Sequence, residues 1–236
     1  MLTATGLTVH YGPREVLHQV DVTVESGELL AVLGANGSGK STLLRATAGL
    51  VPSSGTVTIN GRERGPLDIA LVFQRIHLVG RRSALDNVCA GALGRLPLHR
   101  SLTPALFPRE VREEAMACLE RVGLADRAHD RAAGLSGGQQ QRVAIARALC
   151  QRAPVVLADE PVSALDPAAA EQVLELLAEL AHTERLAVLA VLHQPDLARR
   201  YADRVVGLRD GSVVLDGAPD QPVDSLYPHA LLEIPS

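Results

Sequence analysis

Gly34-Ala35-Asn36-Gly37-Ser38-Gly39-Lys40-Ser41 is the stretch that decides how this chain folds. It reads G-x-x-x-x-G-K-S. Leu29-Leu30-Ala31-Val32-Leu33 runs apolar into it, and Thr42-Leu43-Leu44-Arg45-Ala46-Thr47-Ala48 runs out of it to Gly49. A buried strand, a glycine loop and a short helix stopped by glycine form the context that gives this spacing its meaning. Glycines let successive backbone N–H groups turn inward on an anion, and the N-terminus of the following helix adds partial positive charge. The stretch therefore predicts a nucleotide phosphate site. Lys40 would neutralise the β- and γ-phosphates, Ser41 would offer its hydroxyl to Mg²⁺, and Thr42 would lie near the α-phosphate.

Lys40 carries a second signal. Of the 23 Lys and Arg residues it is the single lysine; all the others are arginine. An ammonium is a compact charge on a flexible stem, whereas a guanidinium is a rigid planar fork. A loop wrapped tightly round a phosphate has room for the first and not the second.

The rest of the composition describes an ordinary globular chain. Its 236 residues suffice for a substantial core, in one domain with subdomains. Aromatic residues are only 2 %, so the core must be aliphatic. A net charge of -4 leaves no basic footprint for nucleic acid. The longest apolar run, Leu186 to Leu192, has the length of a strand rather than of a membrane span, and Met1 to Thr5 do not resemble a signal peptide. Cys89, Cys118 and Cys150 are odd in number and lack C-x-x-C spacing, which fits buried thiols. The eight histidines form no ligand pair at helical spacing.

Along the chain, short β-type runs occupy residues 1 to about 30, and residues 55–61 alternate as a half-exposed strand does. Ile69 to Phe73 is a buried strand with Gln74 at its end. From about 75 to 150 the character is helical. Pro108 to Val122 puts Val111, Ala115, Cys118, Leu119 and Val122 on one face, with Gly123 as the stop. Gly94 to Phe107 has no period and reads as a connector. After 150, strand–helix alternation returns: Val155 to Ala158, then a helix opened by Asp166-Pro167 with Val173, Leu174, Leu177 and Leu180 inward, then Leu186 to Leu192. Such alternation implies a mainly parallel sheet covered by helices.

Pro154-Val155-Val156-Leu157-Ala158-Asp159-Glu160 is an apolar strand ending in two carboxylates. Ligands gather at the carboxyl ends of strands in sheets of this kind. Asp159 is then placed to hold Mg²⁺, and Glu160 to polarise or deprotonate an attacking water. Gln74 and His193 also end buried strands, within reach of the same region.

Leu135-Ser136-Gly137-Gly138-Gln139-Gln140-Gln141-Arg142 resembles the signature of ATP-binding-cassette ATPases. It is a second anion site at a helix N-terminus, in a chain that already has one. The likeness runs from about residue 2 to 217 and implies the following. The fold is α/β, a P-loop NTPase with a RecA-like core, an N-terminal antiparallel β subdomain and an inserted helical subdomain (about 75–150) carrying the signature. Residues 218–236 are a short tail. Tyr11 resembles the aromatic that stacks on adenine, with Val16 beside it. Gln74 resembles the glutamine that senses Mg²⁺ and water, His193 the histidine on the γ-phosphate, and Asp166, in Ser163-Ala164-Leu165-Asp166, the residue that signals across a dimer. Asp166 is equally a good helix N-cap. ATP and Mg²⁺ are the implied cofactors. Two copies head to tail would each close their signature on the other's ATP.

The likeness further implies a subunit on the cytoplasmic face of the cell membrane, serving a separate integral-membrane permease and, indirectly, an extracytoplasmic solute-binding protein. Residues after Gln74 would meet the permease: Ile76, Leu78, Val79 and Leu85, with Arg81 and Arg82 at the rim. Val72-Phe73-Gln74, Leu78-Val79, Asn87 to Gly94 and His193 to Arg204 are similar to the ATPase of phosphonate importers. Arg75-Ile76-His77 stands where a more aromatic stretch is usual. Phosphate or a polar amino acid is the alternative cargo.

Overall fold

The computed structural model describes residues 1–97, 107–223 and 226–227. The apolar run before the glycine loop is strand β3 (Glu28–Leu33), and the run ending in the two carboxylates is β7 (Val155–Asp159). With β6 (Ile69–Val72), β8 (Ala187–Val191), β9 (Arg204–Arg209) and β10 (Ser212–Gly217) they form a six-stranded sheet in the order β10-β9-β3-β8-β7-β6. The pairs β9–β3, β3–β8, β8–β7 and β7–β6 are parallel. Only β10 runs antiparallel, returning from β9 through a tight turn with Asp210 and Gly211 at positive φ.

A second sheet is wholly antiparallel. It consists of β1 (Leu2–Tyr11), β2 (Arg14–Val24), β4 (Ser54–Ile59) and β5 (Arg62–Glu63), in the order β2-β1-β4-β5. The two sheets explain why the central strands are apolar throughout. Successive side chains of a strand point to opposite faces. In β3, Leu30 and Val32 face the core shared with the antiparallel sheet and α1 (Lys40–Ala48), whereas Leu29, Ala31 and Leu33 face a helical core. A strand buried on both sides has no polar face to show.

The helical core is covered by α2 (Ala84–Cys89), α3 (Arg109–Arg121), α4 (Gly137–Cys150), α5 (Pro167–Glu184) and α6 (Pro195–Tyr201). The expected inward face of α3 is buried at all five positions, and Gly123 at φ 68 ends the helix region. Pro108 caps α3 instead of entering its first turn. The expected inward residues of α5 are likewise buried, and Pro167 stands at the start of the helix, where its missing N–H costs nothing. Of the expected connector, Gly94 and Arg95 are the end of a 3₁₀ helix (Ala90–Arg95) and Phe107 is buried, while residues 98–106 lie outside the described residues. All three cysteines are free and buried. Among the described residues no helix is long and apolar enough to cross a membrane. The packed chain continues past Gly217, because Val223 and Leu226 belong to the helical core.

Candidate functional site

The glycine loop turns on three positive-φ glycines, Gly34 (150°), Gly37 (81°) and Gly39 (105°), and Gly39 is the N-cap of α1. Gly34 is also sterically required. A Cβ there would lie 2.2 Å from the Leu208 carbonyl oxygen and 2.7 Å from Ser38 Oγ. The Lys40 side chain curls back inside the loop, donating from Nζ to the carbonyls of Gly34 (2.8 Å) and Ala35 (2.9 Å). It is only 5 % exposed. Burial lowers its pKa, opposed by the carboxylates of Glu160 and Asp159. The β9–β10 turn braces the loop from outside, Gly211 N–H donating to the Ser38 carbonyl at 3.0 Å.

At the end of β7, Asp159 is buried and accepts a hydrogen bond from Ser41 Oγ at 2.9 Å. Glu160 follows at φ 51, a left-handed conformation that non-glycine residues adopt sparingly and mostly at sites. Its carboxylate lies 2.5 Å from His193 Nε2, the next strand end across the sheet. Gln74 reaches the same place indirectly. Its Nε2 donates to Ser163 Oγ (3.1 Å), which in turn donates to the Glu160 carbonyl (3.2 Å). Ser41 and Asp159 thus bring two hard oxygen donors together, the type that Mg²⁺ takes beside nucleotide phosphates, whereas the Gln74 amide is engaged with Ser163.

A cavity of about 290 Å³ gathers much of what the sequence singled out: Val16, Asn36, Gly37, Gly39, Lys40, Ser41, Thr42, Glu160 and His193 all line it. Gly34, Ala35, Ser38, Gln74 and Asp159 do not line it. Tyr11 does not line the cavity; its ring is 47 % exposed, across the β1–β2 turn from Arg14. Arg14 does line it and was not expected. The signal was present, because residues i and i+2 of a strand share a face and Arg14 stands two before Val16.

The signature lies elsewhere. Ser136 is the N-cap of α4 in a reciprocal capping box: Gln139 N–H donates to Ser136 Oγ (3.3 Å) and Ser136 N–H to Gln139 Oε1 (2.9 Å). Leu135 is buried, whereas Ser136 and Gly137 are exposed, and no signature residue lines the cavity of its own chain. Gly137 and Gly138 pack on the start of α5: their Cβ positions would lie 3.4 Å from Leu165 and 3.0 Å from Ala169. Asp166 is the N-cap between those residues, accepting from Ala169 N–H at 3.0 Å.

A larger concavity, about 480 Å³, opens between the segment after β6 and α4, with Phe73, His77, Arg147 and Gln151 on its walls. The apolar residues expected to meet a partner there fall outside it. Leu85 is a core residue, drawn in by α2, and Leu78 packs against the same core. Val79 is half exposed, and Ile76 contributes its carbonyl, which accepts from Arg147 Nη2 at 3.2 Å.

The family model described as ABC transporter matches residues 17–163. The chain belongs to the ABC transporter family. It is 52 % identical over 228 residues to the "Phosphonates import ATP-binding protein PhnC" of Frankia casuarinae, covering 90 % of this chain and 88 % of that one. It is 45 % identical to the "Hypophosphite import ATP-binding protein HtxD" of Stutzerimonas stutzeri, covering 96 % and 69 %. Among solved structures, a dimeric ATP-binding cassette in a post-hydrolysis state, bound to ADP and Pi, superposes with TM-score 0.74 at 32 % identity, covering 94 % and 100 %. The mainly parallel sheet is thus the core of an ABC ATPase cassette, with the antiparallel sheet on one face and the signature-bearing helices inserted between β6 and β7.

Proposed function

We propose that this chain is the ATP-hydrolysing subunit of an importer of phosphonates, acting as a head-to-tail homodimer beneath a separate permease on the cytoplasmic face of the membrane. The observation that carries the catalytic part is the convergence of the Lys40 loop, Ser41 and the Glu160–His193 pair on one cavity, with Asp159 hydrogen-bonded to Ser41. The cargo rests on relatives: proteins named for phosphonate import match at 44–52 % identity over most of both chains. Their names favour a phosphorus oxyanion over a polar amino acid. One relative is named for hypophosphite import, so a smaller phosphorus anion is the second reading.

In this reading Lys40 and the loop N–H groups hold the phosphates, Val16 and Tyr11 support the base, and Ser41, Asp159 and Gln74 would hold Mg²⁺, which would supply positive charge beside the phosphates. Glu160 accepts the proton of a water attacking the γ-phosphorus as the bond to the β,γ-bridging oxygen breaks, releasing ADP and phosphate. A positioned general base contributes roughly 10²–10⁴ in rate. His193 orients the Glu160 carboxylate. Leu135, Ser136, Gly137, Gly138 and Gln139 complete the partner copy's site, and Asp166 lies beside that contact. The concavity between the residues after β6 and α4 receives the permease, which takes its cargo from an extracytoplasmic binding protein.

Uptake by the assembled transporter in membrane vesicles tests the whole reading. An alkylphosphonate, hypophosphite, phosphate and a polar amino acid are supplied in parallel, with Glu160→Gln as the inactive control. ATP-dependent uptake of the phosphonate is expected. Uptake of an amino acid alone would refute the cargo, and ATP-independent uptake would refute the engine.

A further inference from the structure

Three residues beyond the last strand are built into the fold at the root of the phosphate loop. Val223 and Leu226 are buried, and Leu226 N–H donates to the Val223 carbonyl at 2.9 Å. The Leu226 side chain presses on Gly207 of β9, where a Cβ would lie 2.5 and 2.8 Å from its two methyl groups. Gly207 is paired in register with Leu33, the residue immediately before Gly34.

Tyr227 comes next. Its hydroxyl is buried without a hydrogen-bond partner, beside the backbone of Gly34. Burial raises the phenol's pKa, so it stays protonated at neutral pH and can both donate and accept. A buried hydroxyl without a partner costs free energy, and a small shift of Gly34 would remove that cost. Gly34 is held on two sides: its carbonyl receives Lys40 Nζ, and a Cβ on it would meet the Leu208 carbonyl. Whatever moves Lys40 toward a phosphate therefore acts on Gly34.

We propose that Tyr227 is a positioning residue of the nucleotide site, its hydroxyl taking up the Gly34 N–H when the loop closes on phosphate. Nucleotide occupancy and the seating of the C-terminal segment then reinforce each other, and by linkage anything that holds this segment tightens ATP binding by the same factor. The inference rests on the reading of the Lys40 loop as an ATP site.

The test uses the full chain, titrated with MgATP and followed in parallel by amide hydrogen exchange. Tyr227→Phe removes only the hydroxyl. It is expected to weaken ATP by about three- to tenfold, the effect of one net hydrogen bond, and to leave the nucleotide-free melting temperature unchanged or slightly higher. In the wild type, ATP is expected to slow exchange in the peptide containing Tyr227, and this protection should vanish in Tyr227→Phe. Leu226→Ala, which removes the anchor but keeps the hydroxyl, should weaken ATP as well. Equal ATP affinity in Tyr227→Phe and wild type, or no change in exchange on adding ATP to the wild type, overturns the inference while leaving the ATP site intact. So does a Tyr227→Phe protein that loses only melting temperature, which marks a packing role. A wild type that binds no ATP, or binds it as well as Lys40→Ala, overturns the loop reading itself.

Discussion

Replacing Lys40 by arginine keeps the charge and should still abolish tight nucleotide binding. Lys40 Nζ sits 2.8 and 2.9 Å from two loop carbonyls and is almost wholly enclosed. The pocket fits one tetrahedral nitrogen. A guanidinium needs a planar slot for three nitrogens, which the Gly34–Lys40 turn lacks while Leu208 and Ser38 wall in Gly34. Losing one partner of a buried, hydrogen-bonded charge pair costs about 2–5 kcal/mol. At 1.4 kcal/mol per decade, the lower bound is a loss of roughly thirtyfold in affinity. Lys40→Met, similar in length but uncharged, should show that loss in full, and Lys40→Arg should fall within about threefold of it. The nucleotide-free fold should change by no more than about 1 kcal/mol, or 2–4 °C in melting temperature, because the lost carbonyl hydrogen bonds are offset by relief of a buried charge. Isothermal titration with MgATP, beside thermal unfolding without it, measures both quantities. An arginine variant that binds ATP within threefold of the wild type would refute the idea that the shape of the loop selects the only lysine in the chain.

Two further outcomes follow from the geometry. Glu160→Gln should bind ATP, lose at least about a hundredfold in phosphate release, and accumulate as a dimer; size-exclusion chromatography with ATP showing only monomer would count against the head-to-tail pair. Glu114 should carry much of the acid stability of the helical region. Burial alone would raise its pKa, but Arg152 (2.6 Å) and Arg95 (2.8 Å) more than offset this and hold it below the usual carboxylate value. A depressed folded pKa gives stability that is present above the unfolded value and lost as pH falls through the folded one. Glu114→Gln should therefore lower the neutral-pH melting temperature and flatten its acid limb, whereas parallel wild-type and variant curves between pH 6 and the acid transition would exclude this role.

The glycine loop, its flanking elements and the carboxylate pair were legible because each is a local pattern: one strand, one turn, one helix start. The amphipathic faces of α3 and α5 were legible for the same reason. What the sequence hid is relational. From Leu29 to Leu33, β3 is apolar at every position because it serves two cores, and a pattern without a polar face cannot say which neighbours it has, so the order β10-β9-β3-β8-β7-β6 could not be read from it. Leu85 looked as available for a partner as Val79. Only the Ser83 cap, whose Oγ accepts from Asp86 N–H at 3.0 Å, starts the helix that turns Leu85 inward. Arg14 was missed because a lone arginine after a turn has no local signature, although its spacing from Val16 carried the information. Tyr227 was missed because its meaning depends on Gly34, far away along the chain.

The placement of the signature makes the strongest case that one copy of this chain is half a machine. Helices α1 and α4 both start without an acidic residue in the first turn, so the partial positive charge of each start is not offset by a carboxylate of its own helix. One opens into the cavity; the other faces solvent, away from it. In the proposed head-to-tail pair, the α4 start of one copy would meet the nucleotide held at the α1 start of the other. The path between them within a chain is short and stiff. Gln74 is tied to Ser163, Ser163 to the Glu160 carbonyl, and two residues beyond Ser163 Leu165 lies against Gly137, while Asp166 fixes the start of α5 against Gly138. Packed side chains transmit displacement because the interior has little free volume. A change at Glu160 and Gln74 when the γ-phosphate is cut would thus reach the chain's own signature through half a dozen residues, and through it the partner's nucleotide. The two sites of the proposed pair would then be coupled by the same segment that joins Glu160 to α5, and neither could open without disturbing the other.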